Sequence, residues 1–273
     1  RCQTLSPPLN RCHKGANTIN HPHHLGTPNP TPASEIMPDM GTQAVVLHSG
    51  GQDSTTCLAW AIDKYGPDNV HPLIVNYGQR HAVELEQARR IVDQLLPGRT
   101  AREVELTVLR DLGATALTSD TIEINTDATG TGNQYAADHQ LPSTFVPGRN
   151  LLFLTVAAAY GATLGAYDLI TGVCAADEAG YPDCRPQFIS DATLAITTAL
   201  DERVTIHTPL LYLTKADTFQ LADDLGVLDL ILEETHTCYR GDRSTRHPWG
   251  YGCGTCGSCQ ERAAGWTTFT NKN

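Results

Sequence analysis

The sequence predicts an α/β protein with a doubly wound parallel sheet and a small C-terminal metal-binding segment. From residue 44 onward, short β-branched runs alternate with stretches of helical periodicity, which is the pattern of βαβ units. A loop rich in glycine and serine follows the first of these runs, and doubly wound sheets bind ligands at such turns. Four cysteines lie close together near the C-terminus, and their spacing indicates metal ligation.

The composition is that of an ordinary globular protein, and its net charge disfavours some classes of binding partner. The 273 residues carry a formal net charge of −11, which disfavours broad electrostatic binding to nucleic acid or to an anionic membrane. No apolar run reaches the ~20 residues that span a bilayer, and no charged segment followed by an apolar core indicates secretion. We therefore expect small-molecule ligands, no direct nucleic-acid partner, no membrane partner and a cytoplasmic location.

The chain divides into three predicted parts. Residues 1–40 hold seven of the sixteen prolines and show no periodicity, so we expect a disordered N-terminal extension. Residues 41–237 carry the alternating pattern and form the predicted nucleotide-binding α/β domain. Residues 238–273 contain the cysteine cluster and form the predicted zinc-binding segment.

The alternating pattern predicts ten elements in order. The run Ala44–Leu47 is wholly apolar, as expected of a strand buried on both faces. Helical spacing of apolar residues and β-branched runs then predict the others. Strands are predicted at residues 44–47, 71–76, 103–106, 169–171 and 204–206. Helices are predicted at residues 54–65, 82–95, 149–164, 188–200 and 215–225.

The loop after the first strand is the first candidate ligand site. Its residues are Ser49, Gly50, Gly51, Gln52, Asp53 and Ser54. At this turn, backbone amides and the positive helix end point at an anion. No lysine follows the glycines, so the loop is not a Walker A motif; amides, hydroxyls and a divalent cation held by Asp53 must neutralise the phosphates. In the alternative, Asp53 or Ser54 caps the helix and the glycines form a tight turn.

The cysteine cluster is the second candidate site. Cys238, Cys253, Cys256 and Cys259 are separated by fourteen, two and two residues. Four thiolates at this spacing complete a tetrahedral Zn²⁺ site, and with no open coordination position the metal is expected to be structural. The alternatives are an iron–sulfur cluster, a redox-active cysteine pair, or His236 or His247 in place of Cys238.

Eight motifs together resemble the pyrophosphate-loop ATPases and, within them, the 7-cyano-7-deazaguanine synthase family. They are SGGQDSTTCL at 49–58, NYGQRH at 76–81, ATALT at 114–118, FVPGRN at 145–150, TGVC at 171–174, GYPDCR at 180–185, HTPLLYLTKAD at 207–217 and ETHTCY at 234–239. The resemblance covers the chain from about residue 44. It implies a Rossmann-like sheet of the adenine nucleotide alpha-hydrolase type and a homodimer.

The resemblance also implies an activity and its cofactors. It implies a ligase of queuosine biosynthesis that uses ATP and Mg²⁺ to activate the carboxylate of 7-carboxy-7-deazaguanine. Ammonia then displaces the activated oxygen, and a second activation of the resulting amide gives the nitrile. Zn²⁺ is implied as a structural ion. A carboxylate is a poor electrophile until its oxygen becomes a leaving group, so positioning and charge stabilisation carry most of the rate.

The resemblance implies three sets of site residues. The catalytic residues are Asp53, Ser54 and Arg149. The ATP-binding residues are His48, Ser49, Gly50, Gly51, Gln52, Asp53, Ser54, Thr55, Thr56, Cys57 and Leu58. The substrate-binding residues are Gln79, Arg80, His81, Arg149, Asn150, Asp177, Tyr181, Asp183 and Arg185. From the residues alone, Arg149 is either a bidentate ligand of a carboxylate or phosphate, or a surface arginine. His81 either acts as a base or bonds the backbone.

Two departures from the family pattern leave other functions open. Residues 176–179 read ADEA where the family has hydroxyls and a ring, and residues 242–251 form an apparent insertion. A related pyrophosphate-loop ATPase, either a tRNA-thiolating enzyme or a defence or DNA-modification branch, is one alternative. A non-catalytic zinc-ribbon scaffold that binds nucleotide is the other.

Overall fold

The computed structural model describes residues 42–113, 115–119, 121–124, 134–174 and 181–272. Five parallel strands form one sheet in the order β3-β2-β1-β4-β5. These strands are β1 (Ala44–Leu47), β2 (Val70–Asn76), β3 (Arg102–Glu105), β4 (Asp168–Ile170) and β5 (Thr205–His207). The predicted parallel sheet is confirmed, with each strand within one residue of its predicted bounds.

Helices cover both faces of the sheet. They are α1 (Gln52–Tyr65), α2 (Val83–Leu95), α3 (Val108–Leu112), α4 (Gln134–Asp138), α5 (Arg149–Leu164), α6 (Pro186–Leu200), α7 (Lys215–Asp224), α8 (Leu228–Glu234) and α9 (Gly257–Lys272). Alternate residues of β1 point to opposite faces, so Val45 packs in the core under α5 and α6, whereas Val46 packs under α1 and α2. The sheet is doubly wound, as predicted.

The centre of the sheet fixes the place of the ligand loop. β1 pairs with β2 on one side and with β4 on the other, so the connections leaving β1 and β4 diverge and open a crevice at their carboxyl ends. Gly172, just after β4, approaches the first turn of α1 so closely that a Cβ there would lie 3.1 Å from the backbone nitrogen of Ser54. The crevice is therefore lined by the loop that the sequence singles out.

The C-terminal elements were not predicted from periodicity. Helices α8 and α9 and a short antiparallel pair, β6 (Arg246–His247) and β7 (Gly250–Tyr251), share a core with α7. Gly265 permits this packing, because a Cβ there would lie 2.7 Å from Cβ of Lys215. Small and polar residues in α9 weaken the helical pattern, which is why its sequence does not predict it.

The division into residues 1–40, 41–237 and 238–273 stays a prediction, and residues 1–41 lie outside the described residues. Within the described part of the chain, no helix has both the length and the apolar character that crossing a membrane requires.

Candidate active site and metal centre

The turn between β1 and α1 is built to bind an anion. Among the described residues no side chain caps α1 at Gly51, so the first amides of the helix are available to a ligand. Gly50 has a φ of +80°, and a Cβ there would lie 2.7 Å from the backbone nitrogen of Ala88 on α2; this packing requires glycine. The interpretation of Asp53 or Ser54 as a helix cap is wrong, because the hydroxyl of Ser54 donates to Gly51 O.

Two adjoining cavities open over this turn. The larger, of about 300 Å³, lies over the carboxyl ends of β1, β2 and β4, and the smaller, of about 160 Å³, lies between the loop and α9. Both are lined by the same eight residues at their junction, so they form one chamber with two compartments. The shared residues are Gln52, Asp53, Leu117, Arg149, Cys184, Thr237, Tyr239 and Ser258.

A lysine distant in sequence supplies the positive charge that the loop lacks. Lys215 begins α7, and its Nζ lies 2.8 Å and 3.1 Å from the two carboxylate oxygens of Asp53. Glu261 of α9 approaches the same Nζ at 3.6 Å. Burial alone would lower the pKa of Lys215, but Asp53 and Glu261 hold it well above its usual range. The motif TKAD contains this lysine, yet only the fold brings it to the loop.

Arg149 places a permanent cation at the junction of the two compartments. It begins α5 after Gly148, whose φ is +72°, and it lines both compartments. Burial alone would lower the pKa of its guanidinium, but Tyr77 and Asp183 hold the pKa above its usual range. Arg149 is half-buried, and a guanidinium that lines a cavity suits a carboxylate or phosphate. Its role as a ligand of such a group stays a prediction.

Six of the eleven predicted ATP-binding residues line the chamber, and the other five do not. Those that line the larger compartment are His48, Ser49, Gly51, Gln52, Asp53 and Ser54. Gly50 supports the loop through its packing on α2. Burial lowers the pKa of His48 to about 4, so its ring is neutral near pH 7. Four predicted residues pack in the interior of α1 and do not line the chamber, namely Thr55, Thr56, Cys57 and Leu58.

Several predicted substrate residues do meet at the chamber. Gln79 and Asn150 line the larger compartment, Tyr181 lines the smaller, and Arg149 lines both. Asp183 is buried behind them, where it accepts hydrogen bonds from the backbone of Asn150 at 3.2 Å.

The other predicted substrate residues lie elsewhere. Arg80 donates to the backbone carbonyl of Ala116 at 3.0 Å, and His81 bonds Tyr239 O at 3.1 Å, so both tie segments together and neither lines the chamber. Arg185 is exposed at the start of α6; the charge beside Asp183 is that of Arg149 instead. Asp177 lies outside the described residues.

The four predicted metal ligands converge. The Sγ atoms of Cys238, Cys253, Cys256 and Cys259 all lie within 4.8 Å of one another. This separation fits the edges of a tetrahedron around an ion with zinc–sulfur bonds of about 2.3 Å. Hydrogen bonds from Cys256 and Cys259 lower the pKa of Cys238, which favours a thiolate there. The donor set fits Zn²⁺ and leaves no coordination position for substrate.

The alternative histidine ligands are wrong. His236 Nε2 bonds Cys238 O at 3.2 Å, and His247 Nε2 bonds Gly252 O at 2.9 Å. His247 also stacks on Trp249 with ring centroids 4.4 Å apart. The insertion at residues 242–251 therefore forms a hairpin that supports the cysteine cluster.

The metal centre is coupled to the chamber through α9. This helix begins at the cluster and also carries Ser258, Glu261 and Arg262, which line the smaller compartment. Arg262 is buried and donates to the backbone carbonyls of Trp249 and Ile231, each at 2.8 Å. The C-terminal segment is thus one wall of the candidate active site, which the cysteine spacing alone does not indicate.

A half-buried glutamate, Glu84, gives a pH-dependent stability that can be measured. Burial raises the pKa of Glu84 from 4.5 to about 7, although Arg149 opposes the shift. A raised folded-state pKa contributes stability below pH 4.5 that is lost as pH rises through 7. Glu84→Gln should therefore gain stability relative to wild type between pH 5 and 8, by about 2 kcal/mol after allowance for cavity water.

Denaturant unfolding of the ligand-free protein across this pH range measures the difference. Glu86→Gln is the matched control, because Glu86 is exposed on the same helix and pairs with Arg90. Parallel stability curves for wild type and Glu84→Gln would contradict the raised pKa.

Comparison with known proteins gives the family. The family model described as "Queuosine biosynthesis protein QueC" matches residues 43–270. A 7-cyano-7-deazaguanine synthase of Alkalilimnicola ehrlichii is 48% identical over 240 residues, covering 84% of this chain and 95% of that protein. The synthase of Bordetella avium is 46% identical over 248 residues, covering 87% and 96%. That of Nitratidesulfovibrio vulgaris is 44% identical over 244 residues, covering 85% and 96%.

These matches span the loop, the sheet and the cysteine cluster, and the resemblance and the expected enzyme class are confirmed. The chain belongs to the QueC family of queuosine biosynthesis enzymes.

Proposed function

We propose that this chain is an ATP-dependent ligase that converts 7-carboxy-7-deazaguanine and ammonia to 7-cyano-7-deazaguanine through adenylate and amide intermediates. The names of its relatives support the substrate. The observation that supports the mechanism is the single chamber, which is lined by the first turn of α1, by Lys215 and by Arg149. The helix amides suit the phosphates of ATP, and the guanidinium suits a carboxylate.

The proposed chemistry balances with two molecules of ATP. A carboxylate oxygen attacks the α-phosphorus, and pyrophosphate leaves. Ammonia then attacks the carbonyl carbon, the bond to AMP breaks, and the nitrogen loses a proton to give the primary amide. The amide oxygen attacks the α-phosphorus of a second ATP, and a second pyrophosphate leaves. Loss of AMP and of the two protons on nitrogen then forms the nitrile. The chain's residues position these groups and stabilise the charge on pyrophosphate and on the acyl oxygen.

Two metal ions belong to this proposal. Mg²⁺ bound to ATP would neutralise phosphate charge, with Ser49, Ser54 and Asp53 as the nearest oxygen donors. Asp53 bonds Lys215 in the ligand-free protein, so its role toward Mg²⁺ stays a prediction. Zn²⁺ held by the four cysteines would be structural. The homodimer and the cytoplasmic location also stay predictions.

The decisive experiment incubates purified, zinc-loaded protein with ATP, Mg²⁺, ammonium and 7-carboxy-7-deazaguanine. Mass spectrometry should detect the nitrile together with AMP and pyrophosphate. Adenylation of some other acceptor instead would favour a related pyrophosphate-loop ATPase, and ATP binding without turnover would favour a scaffold. Production of ADP would contradict activation at the α-phosphorus.

A further inference from the structure

Gln52 lines the chamber, and its side chain is buried with its hydrogen-bonding capacity unused. Gln52 is the first residue of α1, only 1% of its surface is exposed, and within the described residues neither Nε2 nor Oε1 has a partner. Leaving a buried polar group unsatisfied is unfavourable, because the group loses its hydrogen bonds to water. Buried polar groups are satisfied in most native proteins, so an amide with two orphaned atoms needs an explanation.

The position of Gln52 indicates which bound group forms hydrogen bonds with its side chain. Gln52 is one of the residues shared by the two compartments. If ATP occupies one compartment and the deazaguanine the other, the reacting carboxyl group and the α-phosphate must meet at this junction. Other orphaned atoms in the described part of the chain, such as Nδ1 of His48 and Oδ1 of Asp183, do not lie at the junction.

The side-chain amide of Gln52 has one donor group and one acceptor, and this indicates which functional group of a ligand it binds. A phosphate offers acceptors only, so it would satisfy Nε2 and repel Oε1. A primary carboxamide offers one carbonyl acceptor and two N–H donors, and it can pair with both atoms of Gln52 at once. The amide intermediate of the proposed reaction is such a group, and it has to remain bound between the two activations.

We propose that Gln52 is a catalytic residue that binds the reacting carbonyl group and retains the primary amide intermediate between the two activations. This inference rests on the proposed function. When ammonia adds to the adenylate, the new C–N bond forms and the carbonyl electron pair moves to oxygen, where Nε2 donates a hydrogen bond. The bond to AMP then breaks, the nitrogen loses one proton to water, and Oε1 accepts an N–H from the amide.

Replacement by methionine tests this role. Gln52→Met keeps the side-chain length and removes both polar atoms. We expect ATP–pyrophosphate exchange with 7-carboxy-7-deazaguanine to stay within about tenfold of wild type, because the α1 amides and Lys215 remain. Nitrile formation should fall by about 10²–10³-fold, and the amide should appear free in solution. The Tm of the ligand-free protein should be unchanged or higher, because an unsatisfied buried amide has been removed.

A matched control separates this role from a structural one. Gln87→Met removes a buried glutamine whose Oε1 is also orphaned but which lines neither compartment; it should release no amide and keep the wild-type nitrile rate. If Gln52→Met does not fold, Gln52→Leu, which also removes both polar atoms and adds no charge beside the phosphates, gives the same readouts.

Three outcomes distinguish this inference from the proposed function. Wild-type nitrile formation by Gln52→Met without released amide would overturn the inference alone. Loss of pyrophosphate exchange in parallel with nitrile formation would also overturn it, because Gln52 would then contact ATP. Absence of nitrile and of exchange in the wild-type protein would overturn the proposed function itself.

Discussion

Lys215→Met should reduce ATP–pyrophosphate exchange by at least about 10²–10³-fold, which is the loss expected when one preorganised charge donor is removed from a reacting centre. The Nζ of Lys215 is the cation closest to Asp53 of the loop, at 2.8 Å. Since the loop contains no lysine of its own, this ammonium is the side-chain charge best placed to stabilise departing pyrophosphate. The exchange assay measures that step before any nitrogen transfer.

The ion pair between Lys215 and Asp53 also stabilises the fold. Its effect on stability can be separated from the effect of Lys215 on exchange activity. Removing one partner leaves the other charge unpaired in a site where Lys215 is 13% and Asp53 25% exposed, and this costs up to a few kcal/mol. Combining Lys215→Met with Asp53→Asn should restore most of that stability but none of the exchange activity. Recovery of activity in the double variant would show that the lysine acts only through folding.

A surface lysine provides the control. Lys272 is 61% exposed and pairs with Asp217 at 3.3 Å, so Lys272→Met should leave both exchange and stability close to wild type.

Cys259→Ser should release the metal and disable the chamber, because the cysteine cluster anchors the helix that forms one wall of the site. Cys259 is fully buried, and it lies on α9 one residue from Ser258 and three from Arg262. A structural zinc site in a small module contributes free energies on the order of 10 kcal/mol. We expect α9 and the hairpin β6–β7 to unfold locally, with loss of ATP binding.

Zinc content measures the loss of the metal from Cys259→Ser, and tryptophan fluorescence measures the local unfolding of α9 and the hairpin. Of the three tryptophans, Trp249 and Trp266 pack in the core around the cluster, so their emission should shift to longer wavelength in Cys259→Ser or after chelation. Cys57→Ala is the control, because Cys57 is a buried cysteine in α1 outside the cluster. It should keep one zinc per chain even where it lowers the stability. A Cys259→Ser protein with full zinc content would contradict the four-cysteine assignment.

Much of the sheet domain was predictable from sequence because its signals are local. The wholly apolar run Ala44–Leu47 and the helical spacing in residues 82–95 each indicate an element without reference to the rest of the chain. The glycine–serine turn follows directly from the first strand, and its place in a doubly wound sheet predicts a ligand. The helix α9 was not predictable in this way, because its small and polar residues weaken the helical spacing of apolar residues.

The prediction of substrate-binding residues was less accurate, because these roles depend on contacts between distant segments. His81 and Arg80 lie in a family motif, but their side chains bond backbone carbonyls of distant segments. Their residue types permit either role, and only the location of their partners decides between them. Glu84, three residues after His81, lines the chamber, although no motif or spacing in the sequence indicates this role.

The sequence by itself determined the five strands of the parallel sheet, the helices α1, α2, α5, α6 and α7, the glycine–serine turn, the clustered cysteines and the family, because each depends on residues close together in the chain or on motifs of fixed spacing. The tertiary structure alone decided which charges and polar groups meet. Lys215 reaches Asp53 across 162 residues, and Gln52 is buried without a partner at the junction of two compartments. The contact between Lys215 and Asp53 depends on how α7 packs against α1, and packing between distant segments has no local sequence signal.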